Sequence, residues 1–240
     1  DGLSDAKLEG TDFTGSMILG HQTTGTLDAA ESNTAVGIGS LDAITSGDRN
    51  TAIGNNSLTA TTSGNKNVAI GNESLSGNTS GERNTAVGDK AMFLNETGVR
   101  NAAFGYVSGK SGSYNAAFGA YSLTAVTGNS NTAVGYYAGA GDGVNTAITT
   151  GANNVIVGYQ AGVDDAAAAN RIVIGSGTDG LDDNTVTLGN GSITNWLPTD
   201  TNEVDLGSST KEMKDIYVDG VAYTDAIGFG TVAMTLPTAD

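Results

Sequence analysis

Short apolar triplets recur along the chain, each closed by a glycine and each separated from the next by a polar stretch. The clearest are Asn33-Thr-Ala-Val-Gly37, Asn50-Thr-Ala-Ile-Gly54, Asn67-Val-Ala-Ile-Gly71 and Asn84-Thr-Ala-Val-Gly88. The pattern continues at Asn101-Ala-Ala-Phe-Gly105, Asn115-Ala-Ala-Phe-Gly119, Asn131-Thr-Ala-Val-Gly135 and Asn154-Val-Ile-Val-Gly158. A degenerate copy, Ser16-Met-Ile-Leu-Gly20, precedes these, and two shifted copies, Ile172-Val-Ile-Gly175 and Val186-Thr-Leu-Gly189, follow. The step is 17 residues from Ser16 to Asn101 and mostly 14 to 16 afterwards, with an insertion around Asn145-Thr-Ala-Ile-Thr149. A second signature follows each glycine by three residues: Ser40-Leu41, Ser57-Leu58, Ser74-Leu75, Ala91-Met92, Ser122-Leu123. Polar turns such as Thr45-Ser-Gly-Asp-Arg49 and Thr62-Ser-Gly-Asn-Lys66 then lead into the next copy.

Each period therefore reads as strand, tight turn, short strand, polar turn. It is too short for a helix pair or a propeller blade. It fits one coil of a parallel β-solenoid with two short strands per coil, which makes the chain all-β, a β-roll of about eleven short coils. Side chains alternate across a strand, so the Ala35 position faces one way and the Val36 position the other. Both are apolar, and both strand faces are expected to be covered. Glycine is expected to supply positive φ at the corners. The repeat residues Asn33, Asn50, Asn67 and Asn84 are expected to tolerate the left-handed region and to stack amide hydrogen bonds up a column, beside Gly37, Gly54, Gly71 and Gly88. Residues 1–15 read as a lead-in, 16–190 as the solenoid and 191–240 as a separate β-rich module. Strands in that module are expected at Ile216-Tyr-Val218, Val221-Ala-Tyr223 and Thr231–Thr235.

Composition sharpens this picture. Glycine supplies 36 residues and proline 2, but not at every third position, which excludes collagen. The in-phase triplets argue against a disordered low-complexity tract. Aromatic residues are 6%, too few to fill a wide core, so a flat coil leaves an apolar stripe in water. With each coil rising about 4.8 Å, the stripe extends for about 50 Å, and further copies of the chain would cover it. The net charge of −16 disfavours nucleic acid and anionic lipid surfaces as partners. No run reaches the roughly 18 apolar residues of a membrane span, so no membrane insertion is expected. Cysteine is absent, which removes disulfides and thiolate metal sites, and no cofactor is implied. The opening at Asp1 leaves room for an upstream leader or domain.

The Asn-Thr-Ala-Val-Gly…Ser-Leu repeat resembles the head repeats of trimeric autotransporter adhesins, the YadA-like left-handed parallel β-roll, over about residues 16–190. Such repeats also occur in bacteriophage tail fibres. Asp205-Leu-Gly-Ser-Ser-Thr-Lys-Glu-Met-Lys-Asp-Ile-Tyr-Val218 is similar to a tail-fibre module that often precedes a chaperone or tip domain. The resemblance implies a homotrimer, a structural and adhesive fibre segment and not an enzyme. Its partners would be its own copies and a host-surface polysaccharide or outer-membrane receptor, and its setting the virion. The same repeats on a bacterial surface adhesin are the alternative. The stalk, membrane barrel and tip domain of those families are not found up to Asp240. A polysaccharide depolymerase and an ice-binding solenoid are competitors of other classes. The first needs a carboxylate pair at glycosidase separation, the second a regular Thr row.

Several residues bear on chemistry. Arg49, Lys66, Arg83 and Arg100 fall one period apart before each repeat Asn, forming a basic turn column. It reads as a solvated salt-bridge ladder with Asp48 and Glu82, or as a groove for an anionic polysaccharide. Asp179, Asp182 and Asp183 in a glycine-rich turn are weak calcium candidates, as is the stretch Gly139–Gly143, although the nine-residue period of the calcium β-roll is missing. Asp164-Asp165 and Asp182-Asp183 are the only neighbouring acids suggestive of glycan cleavage. His21 lacks a catalytic constellation and reads as solvated. Trp196 and Tyr217 fit the core of the C-terminal module. Tyr106, Tyr121, Tyr136, Tyr137 and Tyr159 follow repeat glycines, and would contact carbohydrate or line a subunit seam.

Overall fold

Each apolar triplet forms a three-residue strand that pairs with the equivalent triplet of the next coil. The computed structural model describes residues 6–8, 17–19, 30–141 and 145–193. The chain parts into two compact units, 1–194 and 195–240. The strands expected between 216 and 235, Trp196, Tyr217 and His21 lie outside the described residues. Ala6–Leu8 pairs antiparallel with Met17–Leu19, and every later pairing in this 12-stranded sheet is parallel. The register is strict: Thr34 pairs with Thr51, Ala35 with Ala52 and Val36 with Ile53, and so on to Ile174 with Leu188. The ten strands from Thr34–Val36 to Val186–Leu188 bound nine complete turns. The fold is an all-β parallel β-solenoid.

The second strand of each coil is mostly absent. Among the described residues, only Gly162–Val163 and Asp179–Gly180 pair as a second short ladder. Elsewhere the residue that follows the small Ser or Ala is left-handed: φ is 52° at Leu41 and Leu58, 51° at Leu75, 53° at Met92 and 50° at Leu123. That conformation costs an L-residue about 1–2 kcal/mol. It turns a large side chain inward to complete burial, a gain of about 1.5–3 kcal/mol. The backbone rungs survive without an extended strand, since the Leu41 N–H donates to the Ser57 carbonyl at 3.1 Å and the Leu58 N–H to that of Ser74 at 3.0 Å.

The core is thin. One wall is the alanine column Ala35, Ala52, Ala69, Ala86, Ala103, Ala117 and Ala133, and the other is the Leu/Met column with Ile44, Val126 and Ile148. Where the Leu position becomes Gly139, the strand residue of the next coil becomes Ile156. A Cβ at Gly139 would lie 2.8 Å from Leu123 Cδ2 and 3.4 Å from Ile156 Cδ1. Side-chain volume is exchanged across the core, and its density is kept.

Between the walls runs an asparagine ladder. Asn67 donates its N–H (3.0 Å) and its Nδ2 (3.1 Å) to Asn50 Oδ1, and Nδ2 donates again to the Gly81 carbonyl at 2.8 Å. Asn50, Asn84, Asn101, Asn131 and Asn154 repeat the arrangement, the last using the Ala168 carbonyl. These asparagines are not left-handed. That conformation belongs to the residue before each, with φ of 57° or 58° at Arg49, Lys66, Arg83 and Arg100. The glycine column does meet expectation: φ is 135–139° at Gly37, Gly54, Gly71 and Gly88. A Cβ at Gly54 would also strike the Gly71 carbonyl of the next coil.

Removing one ladder amide strands several buried groups at once. Asn67→Ala leaves the Asn84 N–H and one Asn84 Nδ2 hydrogen without their partner, and leaves the Gly81 carbonyl only the 3.3 Å bond from Asn78 Nδ2. At about 1–3 kcal/mol per orphaned group, the loss is about 3 kcal/mol or more. Asn55→Ala, at an exposed position, is expected to cost under about 1 kcal/mol. Chemical denaturation of the two variants beside the parent chain checks the contrast.

Candidate functional site

The strand faces are not both covered. The alanine side is closed by the chain itself, while the opposite side is open: Val36, Ile53, Ile70, Phe104, Phe118, Val134, Ile174 and Leu188 are 37–42% exposed. Val87 and Val157 belong to the same row and are half-buried. The reason is pleating in a three-residue strand, where only the middle residue points inward. The row is unbroken through ten coils, about 40 Å long, and Phe104 stacks on Phe118 with centroids 5.1 Å apart.

The basic turn column is exposed and unevenly compensated. Arg83 pairs with Glu82 at 3.3 Å. Arg100 donates to the Tyr114 hydroxyl at 2.7 Å and lies over that ring. Asp48 is engaged elsewhere, accepting from the Glu31 N–H at 2.8 Å. The ladder is built chiefly from backbone bonds: the N–H of Lys66 donates to the Asp48 carbonyl, that of Arg83 to Asn65 and that of Arg100 to Glu82.

The tyrosines gather into one array. Tyr106 meets Tyr121 edge-on at 5.2 Å, Tyr121 stacks on Tyr137 at 4.7 Å, and Tyr136 stacks on Tyr159 at 5.5 Å. Tyr136 touches Tyr137 at 4.7 Å and joins the two pairs. Burial within this group, and next the neighbouring Tyr106 phenol, raises the Tyr121 pKa above its ordinary value.

The acids named from sequence converge on a residue that was not. Arg171 occupies the asparagine position of its coil, and its N–H donates to Asn154 Oδ1 at 3.0 Å. Its side chain is 4% exposed; Nη1 contacts Asp164 at 2.5 Å and Nε contacts Asp183 at 2.9 Å. Nη1 also donates to the Gly180 carbonyl. Burial opposes the charge on Arg171, but the hydrogen bonds to Asp164 and Asp183 outweigh it and raise its pKa. Asp183 is held below its ordinary value, first by the Ala169 N–H and then by Arg171. The pairs legible in sequence, Asp164-Asp165 and Asp182-Asp183, thus each give one member to a shared guanidinium. Asp182 and Asp183 are exposed, Asp179 half-buried. Among the described residues no group of three or more potential ligands gathers to hold a metal. The phase of Arg171, directly before the triplet Ile172–Ile174, was the available signal for its role.

The shortened coil between Asn101 and Asn115 leaves a surface notch of about 460 Å³ beside Leu94, Glu96 and Thr97. Its other hydroxyls are engaged with the backbone: Ser111 donates to Val126, Thr127 donates to Thr149, and Ser113 accepts from Val99.

No protein-family model matches the chain, and no curated protein matches it.

A carboxylate with a depressed folded-state pKa stabilises above its unfolded value, about 3.9 for Asp, and the contribution fades as pH falls through the lower folded value. Asp183→Asn is therefore expected to lower the melting temperature by a constant amount near neutral pH. The gap to the parent chain closes only below about pH 4. The carboxylate is half in solvent, which keeps the effect small. Thermal melts of both proteins across the acid range read this directly.

Proposed function

We propose that this chain is a segment of a homotrimeric attachment fibre, of the kind built from β-roll repeats in bacteriophage tail fibres. A bacterial surface adhesin head would use the same geometry. The observation that carries the reading is the outward row from Val36 to Leu188. It is apolar in every one of its ten coils although that side of the strand is open. Covering the exposed two-fifths of each side chain gains about 0.5–1 kcal/mol. Summed over the row this reaches about 5–10 kcal/mol per chain before the cost of association. A self-sufficient solenoid would have polar residues on this side, as it has on its turns. Closed symmetry around the row buries it in all copies, and the repeat's resemblance to trimeric heads supplies the number three.

The competing readings meet specific obstacles. A depolymerase needs one carboxyl held protonated, whereas the Asp183 pKa is moved down. An ice-binding face needs a regular Thr row, and the outward position ahead of the inner Ala reads Thr34, Thr51, Val68, Thr85, Ala102, Ala116, Thr132, Val155.

Light scattering is expected to give about three times the 24.0 kDa chain mass, with a β-type circular dichroism spectrum. Replacing Ile70 and Val87 by Lys places cations on the seam and is expected to shift the mass toward one chain. A parent chain that is monomeric while keeping the β signal would overturn the proposal.

A further inference from the structure

Resting on the attachment reading, we propose that the array Tyr106, Tyr121, Tyr136, Tyr137 and Tyr159 is a binding site for a neutral glycan lying along the fibre.

The two outer columns that follow each glycine change character partway along the solenoid. The first coil carries Ile38 and Gly39 there, and the next three carry Asn55 and Asn56, Asn72 and Glu73, Asp89 and Lys90. These make solvent-facing polar contacts: Asn72 Nδ2 donates to Asp89 Oδ2 at 3.0 Å, and Lys90 pairs with Glu73 at 3.7 Å. From Tyr106 onward each of four coils places at least one tyrosine in these columns, the remaining positions being Val107, Ala120 and Gln160. A seam between copies is apolar in every coil, as the Val36–Leu188 row is. Columns that are polar for three coils and carry tyrosine in each of the next four lack the uniformity of the seam and mark a local site.

The chemistry of that site suits a sugar. Tyr106, Tyr136 and Tyr159 are 45, 43 and 53% exposed, whereas Tyr121 and Tyr137 are more covered and support them. Tyr121 stands at 86° to Tyr106 and 90° to Tyr136, so ring faces and phenol edges are both presented. Ring faces carry partial negative charge that attracts the C–H face of a pyranose, and phenol hydroxyls pair with its polar rim. The array spans about 15 Å across four coils, room for several sugar rings. It runs into Asp89 and Asn72, whose carboxylate and amide are directional partners for hydroxyl groups. The surrounding charge selects a neutral ligand. Lys90 in the adjoining coil is paired with Glu73 at 3.7 Å, Asp89 adds a second acid beside it, and the chain carries −16 overall, so an acidic glycan would be repelled.

The test uses the full chain and short neutral oligomers of glucose, mannose, galactose and N-acetylglucosamine. Binding is followed by saturation-transfer NMR and titration calorimetry, with the mass of every variant checked by light scattering. At least one series is expected to bind the parent chain. The double variant Tyr136→Ala, Tyr159→Ala is expected to weaken it about tenfold or more with mass and circular dichroism unchanged. Tyr136→Phe, which keeps the ring, is expected to retain most of the affinity.

No binding by any neutral series would overturn the proposal, as would affinity unchanged in the double variant. A double variant whose mass falls would assign the tyrosines to the seam, with a second copy as their occupant. Binding confined to an acidic oligosaccharide and lost in Arg100→Ala would move the site to the basic column. A monomeric parent chain that binds glycan through these tyrosines would sink the trimer and leave the glycan site standing.

Discussion

A buried primary amide has two N–H bonds and a carbonyl to satisfy, and leaving any of them unpaired costs as much as a lost packing contact. In this protein the rise of one coil satisfies them. The carboxamide oxygen of one asparagine receives the backbone N–H and Nδ2 of the next, and the remaining N–H reaches a turn carbonyl in the following coil. Much else depends on that bond. It forces identical residues into register, because a shift of one residue would set each amide against a flanking position such as Lys66 or Val68 in place of the next asparagine. It brings the turns so close that the glycines of neighbouring coils nearly touch, and the thin space between the walls takes a small residue against a large one, Ala against Leu or Ile156 against Gly139.

Coil length can change as long as the ladder is kept. The step from Asn101 to Asn115 is three residues shorter than its predecessors, yet Asn115 still donates its N–H to Asn101 Oδ1 at 2.9 Å. Its Nδ2 turns instead to the carbonyls of Ser111 and Gly128. The lost residues come from a second inner column, Thr61, Asn78 and Asn95, in which Asn95 Nδ2 reaches Asn78 Oδ1 at 3.4 Å. That column stops where the short coil begins, and Asn95 Oδ1 is left without a hydrogen-bond partner among the described residues. The longer step to Asn154 again spares the ladder, with Nδ2 to Asn131 Oδ1 at 2.9 Å. At its far end the column closes on Arg171, whose guanidinium hands the hydrogen-bonding demand to two carboxylates that reach solvent.

Period, parallel pairing and the asparagine column were legible in the sequence because each follows from spacing alone. The assignment of φ was not. Leu41 and Arg49 belong to residue types that avoid the left-handed region, and only the pull of burial and of inter-coil bonds puts them there. The second strand was over-read for the same reason, since Ser-Leu looks extended until the Leu must turn inward. Arg171 is not legible from the repeat, because an arginine replaces the asparagine that defines the column. The acids were read as sequence neighbours, but the coil joins Asp164 to Asp183 across the turn.

The outer surface then divides by a rule the core imposes. A three-residue strand has one inward position, so the two flanking positions must face outward whatever their chemistry. The Val36 column stays apolar from the first coil to the last, although the chain's own packing exerts no pressure on it. The columns beyond the glycine are free of that uniformity and vary from amide to acid to tyrosine. A partner with the same repeat would require uniformity along an outward column, whereas one met only once would require only local variation. Under the attachment proposal, the uniform row would meet copies of the chain, and the coils where the outer columns change would meet the ligand.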